Sequence, residues 1–180
     1  SWDLGILFVD GNSPDGTADE VKKIAKEYKN INLLVETVKG GLGAAYLNGM
    51  DHAFRLLKAE VVFEFDADLS HDATKIPIFL KRIDEGYDMV LGSRYIPGGG
   101  IPDNWGIHRK FMSMVGNLVA NIVLTDFKIR DWTGGFRAIK KWVYEEFKNK
   151  IADKSTYSFQ IQSLYFARAV KAKIVEVPFR

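Results

Sequence analysis

The 180-residue sequence predicts an α/β fold, a Rossmann-like and mostly parallel sheet flanked by helices in a single domain. Three observations carry that reading. Apolar runs of strand length alternate with segments whose apolar residues recur at helical spacing. Loops dense in Gly, Asp and Asn follow those runs, as turns between alternating elements require. The composition, 47% hydrophobic and 27% charged, is that of a globular chain able to bury about 70% of its unfolded surface.

Taken in order, Leu4 to Val9 reads as a buried strand that ends in the turn cluster Asp10-Gly11-Asn12-Ser13-Pro14-Asp15-Gly16. Thr17 and Glu20 form a capping-box pattern, and Val21, Ile24, Ala25 and Tyr28 continue it at helical spacing. Ile31 to Val35 is a second strand. After Lys39-Gly40-Gly41-Leu42-Gly43 a helix is expected over Ala44 to Leu57. A third strand begins at Val61 and stops at Asp66-Ala67-Asp68, and Ala73 to Asp84 is a helix with Pro77 in its first turn. Met89 to Leu91 is a fourth strand, leading into Gly92-Ser93-Arg94-Tyr95. The Pro- and Gly-rich stretch 96–106 is a loop. From His108 to Leu124 a helix carries a broad apolar stripe, Phe111 to Val123, for which packing into the core is the expected use and lipid the alternative. A turn at 131–137 enters a short strand; helices follow at Trp142 to Phe147 and Ser158 to Val170, and a strand at Ile174 to Val177.

Charge and composition narrow the chemistry. Residues 1–90 hold 10 Lys and Arg against 16 Asp and Glu, whereas residues 91–180 hold 15 against 7. The acidic half suits a cation and the basic half suits phosphate or an anionic surface, although most of these charges are solvated helix faces. With no cysteine, disulfides and thiolate metal sites are excluded, which fits a reducing compartment. No apolar run is long enough to span a bilayer.

The aspartates at 66 and 68 sit where a strand stops, at the carboxyl edge where α/β sheets gather ligands, and their i, i+2 spacing places both on one face of an extended strand. Two neighbouring carboxylates call for a cation. Hard oxygen ligands with no Cys select Mg²⁺ or Mn²⁺, and such an ion completes its shell with phosphate oxygens, so a nucleotide diphosphate is expected. The loops after three strands, 10–16, 66–72 and 92–95, are expected to form one crevice. Lys39 among its glycines offers backbone N–H groups and a positive charge to a phosphate. Arg137 is expected to brace its loop by pairing with Asp131. His71 beside Asp72 permits a metal-dependent hydrolase, but helix capping explains Asp72 more simply. Trp105 suits either packing or a membrane interface.

Five motifs in order, 9–17 (Val9-Asp10-x-Asn12-Ser13-Pro14-Asp15-Gly16-Thr17), Gly41-Leu42-Gly43-x-Ala45-Tyr46, Asp66-Ala67-Asp68-Leu69-Ser70-His71, Gly92-Ser93-Arg94-Tyr95 and Gly134-Gly135-Phe136-Arg137, resemble the family-2 glycosyltransferases of GT-A fold, most nearly the dolichol- or polyprenyl-phosphate mannose synthases. The resemblance implies inverting transfer of a sugar from a nucleotide diphosphate, GDP-mannose first and UDP-glucose or another UDP-sugar second, to a polyprenyl monophosphate. It implies no nucleic-acid partner and a place at the cytoplasmic face of a membrane, peripheral or tethered by segments outside this chain. By position, Asp10, Asn12, Lys39, Asp66, Ala67 and Asp68 would contact the donor. Asp66 and Asp68, with Ser70 assisting, would hold the metal, and Arg94, Arg109 and Ser113 would hold the acceptor phosphate. Asp68, Arg94 and Arg109 are the residues on which catalysis is expected to rest. Gly11 stands where a second Asp is common. Against the family pattern, a first strand before Ser1 and a basic acceptor segment after the last strand are expected to be missing, which leaves a nucleotide-sugar binding module with little activity as the alternative of another class.

Overall fold

The computed structural model describes residues 2–38, 40–101, 106–154 and 158–179. Its elements follow the sequence pattern closely. Strand β1 (Ile6–Asp10), helix α1 (Thr17–Glu27), β2 (Ile31–Val35) and α2 (Leu42–Arg55) come first. After β3 (Val61–Glu64), a 3-10 turn (Ala73–Lys75) runs into α3 (Ile76–Asp84), followed by β4 (Met89–Ser93) and α4 (Ile107–Val123). Strand β5 (Arg137–Lys140), α5 (Lys141–Phe147), α6 (Ser158–Ala169) and β6 (Ile174–Pro178) complete the described chain.

The expected single sheet is divided in two. β1 and β2 pair in parallel by themselves, and a second sheet has the order β3-β5-β4-β6. β4 and β6 are parallel, while β5 lies antiparallel between β3 and β4, so β3, β4 and β6 still run the same way. That insertion fixes the site's geometry. Arg137, the first residue of β5, pairs with both Glu64 at the end of β3 and Leu91 near the end of β4. The loop entering β5 therefore meets the loops leaving β3 and β4 at one edge.

All five residues of β4 are buried, and alternation along the strand feeds two cores. Met89 and Leu91 join Phe54, Trp132, Phe147, Phe159 and Leu164, while Val90 joins Phe79, Phe136 and Val177. α2 packs on both β1 and β3. A Cβ on Gly43 would lie 2.8 Å from that of Phe159 and 2.9 Å from the Lys154 carbonyl oxygen, so only glycine lets the start of α2 seat against α6. Gly41, at a positive φ of 90° that favours glycine, turns the chain into that helix.

Three sequence expectations need correction. The Thr17–Glu20 capping box does not form; Asp15 Oδ1 instead accepts from the Thr17 N–H at 3.0 Å and its hydroxyl at 2.7 Å. Asp66 and Asp68 do not share a strand face, because β3 ends at Glu64 and both lie in the turn beyond it. The apolar stripe of α4 does not enter the core: Phe111, Met112, Leu118, Ile122 and Val123 are all more than half exposed. No described helix is long and apolar enough to cross a membrane.

Candidate active site

The loop 65–72 after β3 turns sharply, with Leu69 at φ 64°. Asp66 is its anchored carboxylate. Tyr46, projecting from α2, donates its hydroxyl to Asp66 Oδ1, and the Asp66 backbone N–H donates to His71 Nδ1 at 2.9 Å. Burial and the negative field of Glu64 and Asp66 push the Tyr46 hydroxyl well above its ordinary range, so it stays a donor. His71 is buried, and burial, opposed by Asp66 and Asp68, lowers it below the usual imidazole value. Asp68 differs. It is exposed, and Ser70, through its hydroxyl and a backbone N–H at 2.9 Å from Oδ1, holds it below the usual carboxylate range. Asp72 caps the 3-10 turn by accepting from the Thr74 N–H at 2.9 Å, as expected.

Across the edge, Arg94 at the end of β4 binds Asp131 through Nε at 2.7 Å and Nη2 at 2.8 Å. Asp131 Oδ2 also accepts the Arg94 backbone N–H at 3.1 Å, and its Oδ1 accepts that of Gly134 at 2.9 Å. Burial alone would raise Asp131, but the Arg94 hydrogen bonds and charge outweigh it and hold the acid below the ordinary range. The same pairing outweighs burial at Arg94 and raises it. This replaces the expected pair: Arg137 does not hydrogen-bond Asp131. Fully buried, it donates to the carbonyl oxygens of Trp132, Gly134 and Gln160 at 2.7 to 2.9 Å and to Ser163 Oγ at 3.1 Å, which straps loop 132–134 to α6. Opposite it, the carboxylate oxygens of Glu64 are buried without a hydrogen-bond partner among the described residues, and desolvation pushes Glu64 up to about 7 against the pull of Arg137.

Loop 131–136 thus stands between the two halves of the site. A Cβ on Gly134 would lie 3.3 Å from Asp131 Cγ, and one on Gly135 would lie 3.6 Å from Asp66 Oδ2. The loop is held in turn by α4, whose polarity is inverted. Beside Ala120, which joins the core, its inward residues include three polar ones: Asn117 accepts the Trp132 N–H at 2.7 Å, Asn121 accepts the Trp132 indole N–H at 2.8 Å, and Ser113 Oγ accepts from the Tyr95 hydroxyl at 2.7 Å. Its outward residues are apolar, from Ile107 at 84% exposed to Val123 at 71%. A surface helix normally presents the reverse arrangement.

Asp66, Ala67, Asp68, Ser70 and Arg94 are therefore gathered on one edge, with Ser113 tied to it through Tyr95. Asp10, buried, accepts the Ser13 N–H at 3.0 Å and Asn12 sits at φ 57°, so both shape the turn after β1 in the other sheet. Lys39, Trp105 and the side chain of Arg109 lie outside the described residues. Sequence reasoning missed Tyr46 and Asp131 as site residues. Each acts on a partner 20 or 37 residues away, and local periodicity carries no sign of such pairs. No group of three or more His, Asp or Glu side chains is placed to hold a metal by itself among the described residues; one anchored and one exposed carboxylate fit a hard divalent cation that takes its remaining ligands from phosphate oxygens and water.

The sequence profile of the family described as Glycosyl transferase family 2 matches residues 3–148. Polyprenol monophosphomannose synthase of Mycolicibacterium smegmatis is 37% identical over 96% of this chain and 64% of its own length. Undecaprenyl-phosphate mannosyltransferase of Micrococcus luteus is 34% identical over 96% of this chain and 70% of its own. Dolichol-phosphate mannosyltransferase of Pyrococcus furiosus is 33% identical over 97% and 47%. The chain thus spans about half to seven tenths of these relatives. Among solved structures, glucosyl-3-phosphoglycerate synthase from Mycobacterium tuberculosis aligns with a TM-score of 0.61 at 17% identity, over 97% of this chain and 58% of that one; at that identity the likeness speaks for the fold alone.

Proposed function

This chain belongs to glycosyl transferase family 2, and on that premise we propose that it transfers mannose from GDP-mannose to a polyprenyl monophosphate at a membrane surface. The observation that carries the reading is the inverted helix α4 beside the Arg94–Asp131 half of the site. Its polar face supports the site through Ser113, Asn117 and Asn121, while the large apolar side chains of its other face are exposed among the described residues. An exposed apolar face of this extent calls for an apolar surface, and the basic charge of residues 91–180 suits an anionic one. The three relatives are named for polyprenyl, undecaprenyl or dolichol phosphate and mannose, which supports mannose as the sugar and a polyprenyl phosphate as the acceptor.

Asp68 and Asp66, with Ser70 holding Asp68, would bind Mg²⁺ or Mn²⁺, which supplies Lewis-acid stabilisation of the departing diphosphate. Asp10, Asn12, Lys39 and Ala67 would receive the nucleotide. Arg94, Arg109 and Ser113 would hold the acceptor phosphate in line with the anomeric carbon. Arg94 is suited to the task because Asp131 fixes its orientation. The nucleophile is a phosphate monoester, already anionic near neutral pH, so no side chain has to deprotonate it. The chain's work is alignment and charge compensation.

Thermal unfolding with GDP-mannose, UDP-glucose or neither, each with and without Mn²⁺, tests the donor site. GDP-mannose with Mn²⁺ is expected to raise the midpoint most. A larger rise with UDP-glucose would move the donor to the UDP-sugars, and no metal-dependent rise with either would contradict the assignment.

A further inference from the structure

We propose that Tyr46 and His71 are positioning residues that clamp Asp66, Tyr46 at its Oδ1 and His71 at its backbone N–H, so that the two aspartates play unequal parts: Asp66 preset, Asp68 adjustable. The inference rests on the donor-site reading above. Tyr46 reaches Asp66 Oδ1 from α2 and is itself held by stacking on Phe159, with ring centroids 5.8 Å apart and planes 9° from parallel. His71 is fixed by rings on three sides: Phe136 stacked at 5.0 Å, and Phe65 and Phe179 edge-on at 5.5 and 5.7 Å.

Its protonation pattern follows from one hydrogen bond. Because Nδ1 accepts the Asp66 backbone N–H at 2.9 Å, the neutral ring carries its proton on Nε2. Nε2 lies 3.7 Å from Asp66 Oδ2, beyond hydrogen-bond distance, so His71 holds Asp66 through the Asp66 backbone N–H. Gly135 closes the arrangement from above: a Cβ there would sit 3.6 Å from Asp66 Oδ2 and 3.7 Å from His71 Cε1. Asp66 is thus gripped by rigid groups through its backbone N–H and at carboxylate Oδ1. Asp68 is held at Oδ1 by its own loop and is otherwise open to solvent. A hard cation with strict geometry benefits from one ligand fixed in advance, and partners that orient ligands commonly contribute 10- to 100-fold in metal affinity.

The test compares GDP binding, by calorimetry with and without Mn²⁺, in the wild-type chain, Tyr46→Phe, His71→Phe and Asp68→Ala. Phe at 71 keeps the ring stack, and Tyr46→Phe removes a single oxygen, so folding is preserved in at least one variant. In Tyr46→Phe and His71→Phe the gain in GDP affinity from Mn²⁺ is expected to fall about tenfold, with metal-free GDP affinity unchanged; in Asp68→Ala the gain is expected to vanish. An unchanged gain in both clamp variants would overturn the proposal, as would an equal loss with and without Mn²⁺, which marks a merely structural role. Nitrogen NMR of the metal-free wild-type chain is expected to show the Nε2–H form of His71, and the Nδ1–H form would refute the clamp. No Mn²⁺ gain in the wild-type chain would instead remove the donor site itself, and the clamp with it.

Discussion

At the scale of single residues, Asp131 holds more of the site than any residue the sequence pointed to. It accepts two side-chain bonds and one backbone bond from Arg94 and one from Gly134, with its side chain fully buried. Removing one member of a buried pair leaves the other charge uncompensated, at a cost of about 3–5 kcal/mol. Asp131→Ala is accordingly expected to lower stability by that amount at neutral pH in denaturant unfolding. The pH dependence has a definite sign. The folded-state acid is depressed below its ordinary 3.8, so its contribution is fully present above that value and is lost as pH falls below it. The variant should therefore differ from the wild-type chain above about pH 5 and converge on it in acid. Aspartate loops announce themselves by composition, as Asp66-Ala67-Asp68 did. Asp131 did not, because an Asp in a turn reads the same whether it caps a loop or locks an arginine 37 residues away. The pairing first assigned to Arg137 failed for that reason: both arginines are near in sequence or space, and only packing decides which reaches the acid.

At the scale of elements, the sequence located every strand and helix to within a few residues, because strand and helix periods differ and the chain follows both cleanly. Orientation was less legible. The stripe on α4 was correctly placed on one face, but periodicity cannot say whether an apolar face meets a core or the outside. The informative signal was on the other face, where Ser113, Asn117 and Asn121 recur at helical spacing and bond to the site loops. At 1.5 Å per residue the 17-residue helix is about 25 Å long, long enough to lie along a membrane surface with its apolar face in the lipid. Leu118→Glu and Val119→Glu alter only exposed positions and should change stability by no more than about 0.5 kcal/mol. Flotation with anionic vesicles should nevertheless show binding reduced at least tenfold. Equal binding by the variants would mean that lipid is not what this face meets.

For the whole molecule, the parallel α/β plan was legible from alternating elements, whereas the antiparallel insertion of β5 was not, since a four-residue strand after a glycine turn carries no mark of its direction. Yet that insertion brings Arg137 opposite Glu64 and Leu91 and so joins the aspartate-loop and Arg94 halves of the site at one edge. Likewise the separation of β1 and β2 into their own sheet leaves the turn carrying Asp10 and Asn12 linked to the aspartate loop mainly through α2, which packs on β1 and sends Tyr46 to Asp66. The proposed reaction brings the metal, the diphosphate and the lipid phosphate together on one edge of the four-stranded sheet, with Asp10 and Asn12 contributed by the turn after β1 in the other sheet. Its most direct measurement is transfer of radiolabelled mannose from GDP-mannose to a short polyprenyl phosphate in the presence of Mn²⁺, by the wild-type chain and by Asp68→Ala. Transfer that Asp68→Ala reduces at least a hundredfold is the predicted result; transfer by Asp68→Ala at the wild-type rate, or donor binding by the wild-type chain with no transfer at all, would contradict it.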